Sequence, residues 1–328
     1  MILIKHHNQG DYEPYFYFAL EEYILNELLK EDESYFFTYQ IKGVVIGKNQ
    51  VLENEVNIEY LKQNQIKIFR RPTGGGCVYA DENNTMFAII TKKKDKNFSF
   101  KDYLVKVIDA FKELGISLEF SGRNDITFEG KKVSGNAFLQ NKNGMLMHGT
   151  LLYDCDIETM VRSITPADEK LISKGVESVR SRVVNLKPYL KGLTQAEVIK
   201  HLNETLTNQE YELTNNDIHK INQLAKKYQR PEWIYYQQPP FEQKIKQRFP
   251  WGLAEISLNI NYGVIESMKI QGDFFDLKDL KEFEELFEGI NYDYSLLEEI
   301  LMKNDLSEYI LGASSTDVLV VLKEKFLS

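Results

Sequence analysis

A chain of 328 residues can bury a full core, as one large domain with a smaller companion or as two medium ones, and it needs no disulfide scaffold to do so. Its 43% hydrophobic and 27% charged residues exclude a disordered or fibrous protein, and a net charge of -9 removes the broad basic footprint of general nucleic-acid binding. Cys77 and Cys155 lie far apart, against zinc or redox pairs and in keeping with a reducing cytoplasm, and no apolar run approaches the roughly 20 residues that cross a bilayer.

The chain opens with a short strand over residues 2–4. Residues 14–30 place Phe16, Ala19, Leu20, Tyr23, Glu27 and Leu28 at helical spacing behind Pro14, which predicts a helix packed on a sheet. SYFFTYQI and VVIG, split by Lys42 and Gly43, are β-branched and aromatic and predict two strands joined by a turn. IKIFR, MFAII and NDITF have the same character. Ser99 and Asp102 resemble a capping box, and Tyr103, Val107, Ile108, Phe111 and Leu114 keep a helical period until Gly115. SGRNDITFEGKKVSGNAF predicts a strand, a tight turn at Glu129 and Gly130, and a return strand. Together these predict an α+β domain in which helices cover a mixed sheet.

From about residue 157 the chain turns helical and polar, LTQAEVIKHLNETL and NNDIHKINQLAKKY being the clearest helices. RPEWIYYQQPPFEQKIKQRFPWG holds four of the eight prolines and predicts extended connections, hence a boundary that divides residues 1–245 from residues 246–328. The second part predicts a small α+β domain: a hairpin around Asn261, Tyr262 and Gly263, then short helices, with GDFFDLKDLKEFEELFEG packing one amphipathic helix.

Chemistry concentrates in RRPTGGGCVY, residues 70–79. Three successive glycines cost backbone entropy and leave nothing to pack, so something must approach that backbone closely. Gly74, Gly75 and Gly76 can offer N–H groups to an anion beside Arg70 and Arg71; the plainer reading is a turn between strands. The spacing is neither a P-loop nor a dinucleotide fingerprint. In the hairpin, the pleat puts Lys132 and Ser134 on one face, and Asn124 with Ile126 likewise, so that a lysine points along the sheet toward a ligand, while Gly135 admits a close approach. Its plain alternative is a surface turn with solvated Lys131 and Lys132. His148 and Gly149 open an apolar strand, where the histidine is either structural or a donor to a ligand carbonyl, with no carboxylate adjacent in sequence. Cys77 is either an activated thiol or a small core residue; Cys155 lies between aspartates, which disfavours a thiolate. The basic run at residues 92–96 is a solvated loop or a means of steering an acidic partner.

RRPTGGGCVYAD, GRNDI, KKVSGNA, HGTLL and KGVESVRSRVVN, in this order and at these separations, resemble the lipoate-protein ligase A family. The resemblance implies a catalytic domain of the kind shared with biotin-protein ligases over residues 1–245 and a C-terminal accessory domain over residues 246–328. It implies ATP-dependent activation of lipoate to lipoyl-AMP, then transfer to a lysine of an acceptor, the glycine-cleavage H protein or an E2 subunit of a 2-oxoacid dehydrogenase. Lys132 matches the essential lysine that bridges the lipoate carboxylate and the α-phosphate. Arg71, Gly74, Gly75, Gly76, Cys77, Val78 and Tyr79 match the lining of the adenylate and the acyl channel, joined by Asn84, Ser134 and Gly135. Asn124 and Asp125 match positions near the phosphate and its Mg2+, which ATP carries; no metal site of the protein's own is implied. His148, Gly149 and Thr150 match the strand beside the acyl carbonyl, and Ser178, Val179 and Arg180 match the loop that closes over the nucleotide. Leu20, Val44, Ile46 and Val78 are candidates for an apolar slot for the lipoyl chain. Ala80 stands where many relatives have His, and Asn83 where Gly is common.

The main competing reading is an ATP-independent lipoyl or octanoyl transferase of the same fold, which would need Cys77 or Cys155. A passive lipoate or nucleotide binder is a second alternative, against which the intact lysine and arginine set argues. The C-terminal domain and VESVRSRV favour the ligase, and the glycine-arginine signature of biotin ligases is missing. Neither a nucleic acid nor a membrane is expected as partner.

Overall fold

The apolar runs between residues 2 and 152 build two sheets in the first of two units. The computed structural model describes residues 1–5, 12–92, 100–121, 124–164, 181–235 and 243–327. One unit comprises Met1–Ile46, Leu52–Arg71 and Cys77–Tyr235; the other comprises Gly47–Val51, Pro72–Gly76 and Tyr236–Ser328. The strands of the first unit are β1 (Ile2–Lys5), β2 (Ser34–Tyr39), β3 (Gly43–Ile46), β4 (Ile68–Arg70), β5 (Val78–Ala80), β6 (Asn84–Thr91), β7 (Glu119–Ser121), β8 (Asp125–Phe128), β9 (Lys131–Gln140), β10 (Met145–Leu152) and β11 (Gln209–Glu212).

Eight of them form one mixed sheet in the order β11-β1-β2-β6-β10-β9-β8-β7, in which β1 runs parallel to β2 and β11 and the remaining pairs are antiparallel. The other three form a small sheet, β4-β3-β5. Thus β2 and β3 do not pair as a hairpin, contrary to the sequence expectation. Both edges of β2 are taken by β1 and β6, so the chain crosses at Gly43 into the small sheet. There a Cβ would fall 2.6 Å from the Lys67 carbonyl oxygen, and φ is +141°. Strand β11 was not expected: QEYE has no apolar pattern and is held by its ladder with β1.

Helices α1 (Pro14–Tyr23), α2 (Phe100–Glu113), α3 (Gln195–Leu206) and α4 (Asn215–Tyr228) cover the large sheet. The predicted helix over residues 14–30 is realised as α1 followed by a π-helical turn, Ile24–Leu28. Phe16, Leu20 and Tyr23 of α1, with Ile221, Ala225 and Tyr228 of α4, pack on Tyr35, Phe37, Tyr39, Ala88 and Ile90. Gln195 of α3 instead donates to Thr85, which the pleat turns to the opposite face. The expected cap residue Ser99 lies outside the described residues, while α3 and α4 each start in a full capping box, at Thr194 with Glu197 and at Thr214 with Asp217.

In the second unit β12 (Gln243–Phe249), β13 (Gly252–Asn261) and β14 (Val264–Gly272) form an antiparallel sheet whose β13–β14 turn puts Tyr262 and Gly263 at φ 48° and 79°. Ile245, Ile256, Leu258 and Ile270 pack against Phe283, Leu297, Leu301 and Val318. The acidic segment expected to be one helix is a short helix, Leu280–Glu284, ending in the 3-10 turn Glu285–Phe287. Among the described residues no helix is long and apolar enough to cross a membrane.

Candidate active site

The β8–β9 hairpin turns at Glu129 and Gly130, with φ of 51° and 75°. Its register pairs Asp125 with Gly135 and Ile126 with Ser134, then slips so that Thr127 opposes Lys132. Val133 is therefore an extra residue, a β-bulge, which breaks the alternation that would have put Lys132 and Ser134 on one face. Lys132 shares a face with Asp125 and Gly135, whereas Ser134 points the other way and donates to Asn136 Oδ1 at 3.4 Å. Lys132 Nζ lies 2.8 Å from Asp125 Oδ1, with the two side chains 40% and 34% exposed. The Lys132 carbonyl accepts the Val184 N–H at 3.0 Å, which ties the chain leaving residue 183 to this strand.

Neighbouring β10 presents Thr150 and His148 on the side of Gly135 and Ala137; the Gly135 N–H donates to Thr150 Oγ1 at 3.3 Å. Asn124 and Asn136 close the start of the hairpin reciprocally: Asn124 Nδ2 donates to the Asn136 carbonyl at 2.5 Å and Asn136 Nδ2 to the Asn124 carbonyl at 2.8 Å. Gly149 has a packing reason, since a Cβ there would fall 2.0 Å from Asn136 Oδ1 and 2.7 Å from Phe87 Cζ.

On this same face lies a buried polar network. His148 Nδ1 is 2.9 and 3.0 Å from the two oxygens of Glu21, a fully buried carboxylate of α1. Tyr39 Oη donates to Glu21 Oε1 at 3.1 Å and stacks on Tyr17; burial and the Glu21 charge push its phenol well up. Buried Arg71 donates to the Val45 carbonyl at 3.2 Å, and desolvation lowers its guanidinium to about 10 while Cys77, Tyr39 and Glu21 oppose the shift. Sequence reasoning missed Glu21 because its partner is 127 residues away. A signal was present: Tyr17, Leu20, Glu21 and Ile24 fall at i, i+3, i+4 and i+7, so a carboxylate occupies the apolar stripe of a helix.

Two of the three glycines, Gly74 and Gly75, lie close against backbone within the second unit. The Gly75 N–H donates to the Phe274 carbonyl at 2.9 Å, and a Cβ on Gly74 would fall 2.5 Å from that same oxygen; one on Gly76 would meet nothing within 4 Å. Val78 and Tyr79 on β5 pair with Val45 and Val44. Asn84 is buried and donates to the Tyr79 carbonyl at 3.4 Å. The four residues offered for one apolar slot do not line a single core. The pleat of β3 sends Val45 toward Leu20 and α1, and Val44 and Ile46 into a separate cluster with Leu52, Tyr79 and Leu152.

Burial pushes the thiol of half-buried Cys77 up, and it does the same to buried Cys155, where Asp81 adds to the shift. Ser178, Val179 and Arg180 lie outside the described residues. The chain that follows them is pinned at Asn185, which exchanges two hydrogen bonds with the Cys155 backbone at 3.0 and 2.9 Å. Among the described residues no group of three or more His, Cys, Asp or Glu could hold a metal ion.

The sequence matches the lipoyl protein ligase A/B catalytic domain over residues 13–207 and the bacterial lipoate protein ligase C-terminus over residues 238–322. The chain belongs to the lipoate-protein ligase family. Among curated relatives of this family member, lipoate-protein ligase LplJ of Bacillus subtilis is 36% identical over 329 residues, covering 97% of this chain and 99% of its own. Among solved structures, P. falciparum LipL1 in complex with lipoate aligns with 100% of this chain and 99% of that one at a TM-score of 0.82 and 23% identity, a likeness of fold. A lipoate-protein ligase A bound with ATP aligns with 72% of this chain and 97% of that one at a TM-score of 0.60 and 25% identity. The α+β architecture of mixed sheets covered by helices is thus that of lipoate-protein ligases.

Proposed function

We propose that the chain is an ATP-dependent lipoate-protein ligase whose activating lysine is Lys132. The observation that carries this is a half-exposed ammonium at a bulge, held by one carboxylate, in a chain similar to LplJ over 97% of its length. A carboxylate oxygen of lipoate attacks the α-phosphorus of ATP, the bond to the β-phosphate oxygen breaks and pyrophosphate leaves. Lys132 counters the negative charge that gathers between the two anions in that step. The amine of an acceptor lysine then attacks the acyl carbonyl of lipoyl-AMP, AMP departs with the bonding pair, and the amide forms as the nitrogen loses its proton.

Arg71, Cys77, Val78, Tyr79, Asn84, Asn124, Ser134, Gly135, His148, Gly149 and Thr150, with Gly74, Gly75, Gly76, Ser178, Val179 and Arg180, make up the proposed adenylate-binding set. Magnesium would arrive on the phosphates of ATP: a single carboxylate, Asp125, suits an ion that keeps most of its water and phosphate ligands. An ATP-free transferase would need a thiolate nucleophile, and burial holds both thiols in the opposite form. We assign residues 1–245 to catalysis and residues 246–328 to an accessory domain, in an enzyme of lipoate salvage in the cytoplasm that serves an H protein or an E2 lipoyl domain. Incubation of the purified chain with lipoate, ATP, Mg2+ and an unmodified H protein or E2 lipoyl domain should add one lipoyl mass to the acceptor. Acylation from a lipoylated donor protein without ATP would replace the ligase by the transferase.

A further inference from the structure

The bulge at Val133 that turns Lys132 toward Asp125 also lays its side chain across the backbone of Gly135. A Cβ built on Gly135 would fall 2.8 Å from Lys132 Nζ and 2.9 Å from Lys132 Cε, and the next nearest atom is Asp125 Oδ1 at 3.9 Å. Gly135 is not among the glycines with positive φ, so backbone conformation does not call for a glycine here. Room does, and the atoms that fill the room are those of the lysine and its partner. The Lys132 backbone is fixed on its other side by the Val184 N–H, so movement at this position belongs to the side chain.

We propose that Gly135 and Asp125 form a resting berth for Lys132, in which the ammonium is parked on the carboxylate until the anions of the substrates draw it away. Asp125 supplies the counter-charge at rest, and Gly135 supplies the space. Gly135 is then a positioning residue that acts through Lys132, and its small size serves the lysine of the free enzyme. This rests on the reading of Lys132 as the activating lysine.

The test is competitive acylation of the intact protein with a trace of acetic anhydride, without lipoate or ATP, read by peptide mass spectrometry with the exposed neighbour Lys131 as internal reference. In Gly135→Ala the methyl group evicts the lysine, and the ratio of label at Lys132 to label at Lys131 is expected to rise about two- to fivefold, the range set by a half-exposed ion pair. Asp125→Asn, which keeps the size and removes the charge, should raise the ratio similarly. An unchanged ratio in folded Gly135→Ala overturns the berth; if that variant does not fold, an unchanged ratio in Asp125→Asn overturns it. Since no substrate is present, these outcomes are independent of whether Lys132 activates lipoate, which loss of pyrophosphate exchange in Lys132→Ala reads separately.

Discussion

A thiol attacks an acyl group as its thiolate, and burial disfavours that form at Cys77 and at Cys155. Cys77→Ser and Cys155→Ser are therefore each expected to keep most of the lipoate-dependent activity, measured as acceptor acylation; loss of turnover in either folded variant would point to covalent transfer. Lys132 stood out in the sequence from its hairpin, and Asp125 only through the family resemblance, although the two are partners seven positions apart. Their mutual placement was not legible, because a bulge of one residue reverses a face and leaves no mark in the pattern of side chains. Glu21 was illegible as the partner of His148 for another reason: only the packing of α1 on the large sheet brings them together.

Elements whose ends carry their own signals were read closely. Thr194 with Glu197 closes a full capping box at the start of a predicted helix, and Gly115, at φ 81°, follows the end of α2. Strand partners were less legible, since β2 and β3 look like a hairpin yet enter different sheets, β2 lying between β1 and β6 and β3 between β4 and β5. The start of α4 carries a measurable charge. Burial alone would raise the carboxyl of Asp217, but donors from Tyr23 at 2.6 Å, from Thr214 and from Tyr211 together hold it below its ordinary value of 3.8. The unfolded chain then takes up this proton at a higher pH than the folded chain, so the contribution is fully present above the ordinary value and is lost as pH falls through the folded one. Asp217→Asn is expected to cost about 1–2 kcal/mol at neutral pH. In denaturant melts the gap to the parent chain should shrink toward pH 3, and a gap independent of pH would exclude the charged form as its source.

At the scale of the whole molecule, length and the proline-rich stretch indicated two parts, whereas the segments Gly47–Val51 and Pro72–Gly76 that join the second unit carry no such signal. The glycine triplet announced a close approach correctly; the sequence could not say that part of what approaches is the Phe274 carbonyl. Gly74→Ala should destabilise by about 1–3 kcal/mol, because its methyl has no room beside that oxygen. Gly76→Ala, where a Cβ meets nothing within 4 Å, should change stability by less than about 0.5 kcal/mol. Denaturant melts of the two variants compare them directly, and equal losses would remove close packing as the reason for Gly74.

Lipoate-dependent exchange of labelled pyrophosphate into ATP, with no acceptor present, tests the ligase and its lysine together. The intact chain should exchange only when lipoate is added, and Lys132→Ala, folded by circular dichroism, should exchange at least about 100-fold more slowly. An intact chain without exchange, or a Lys132→Ala chain that exchanges at the parent rate, would contradict activation of lipoate at Lys132.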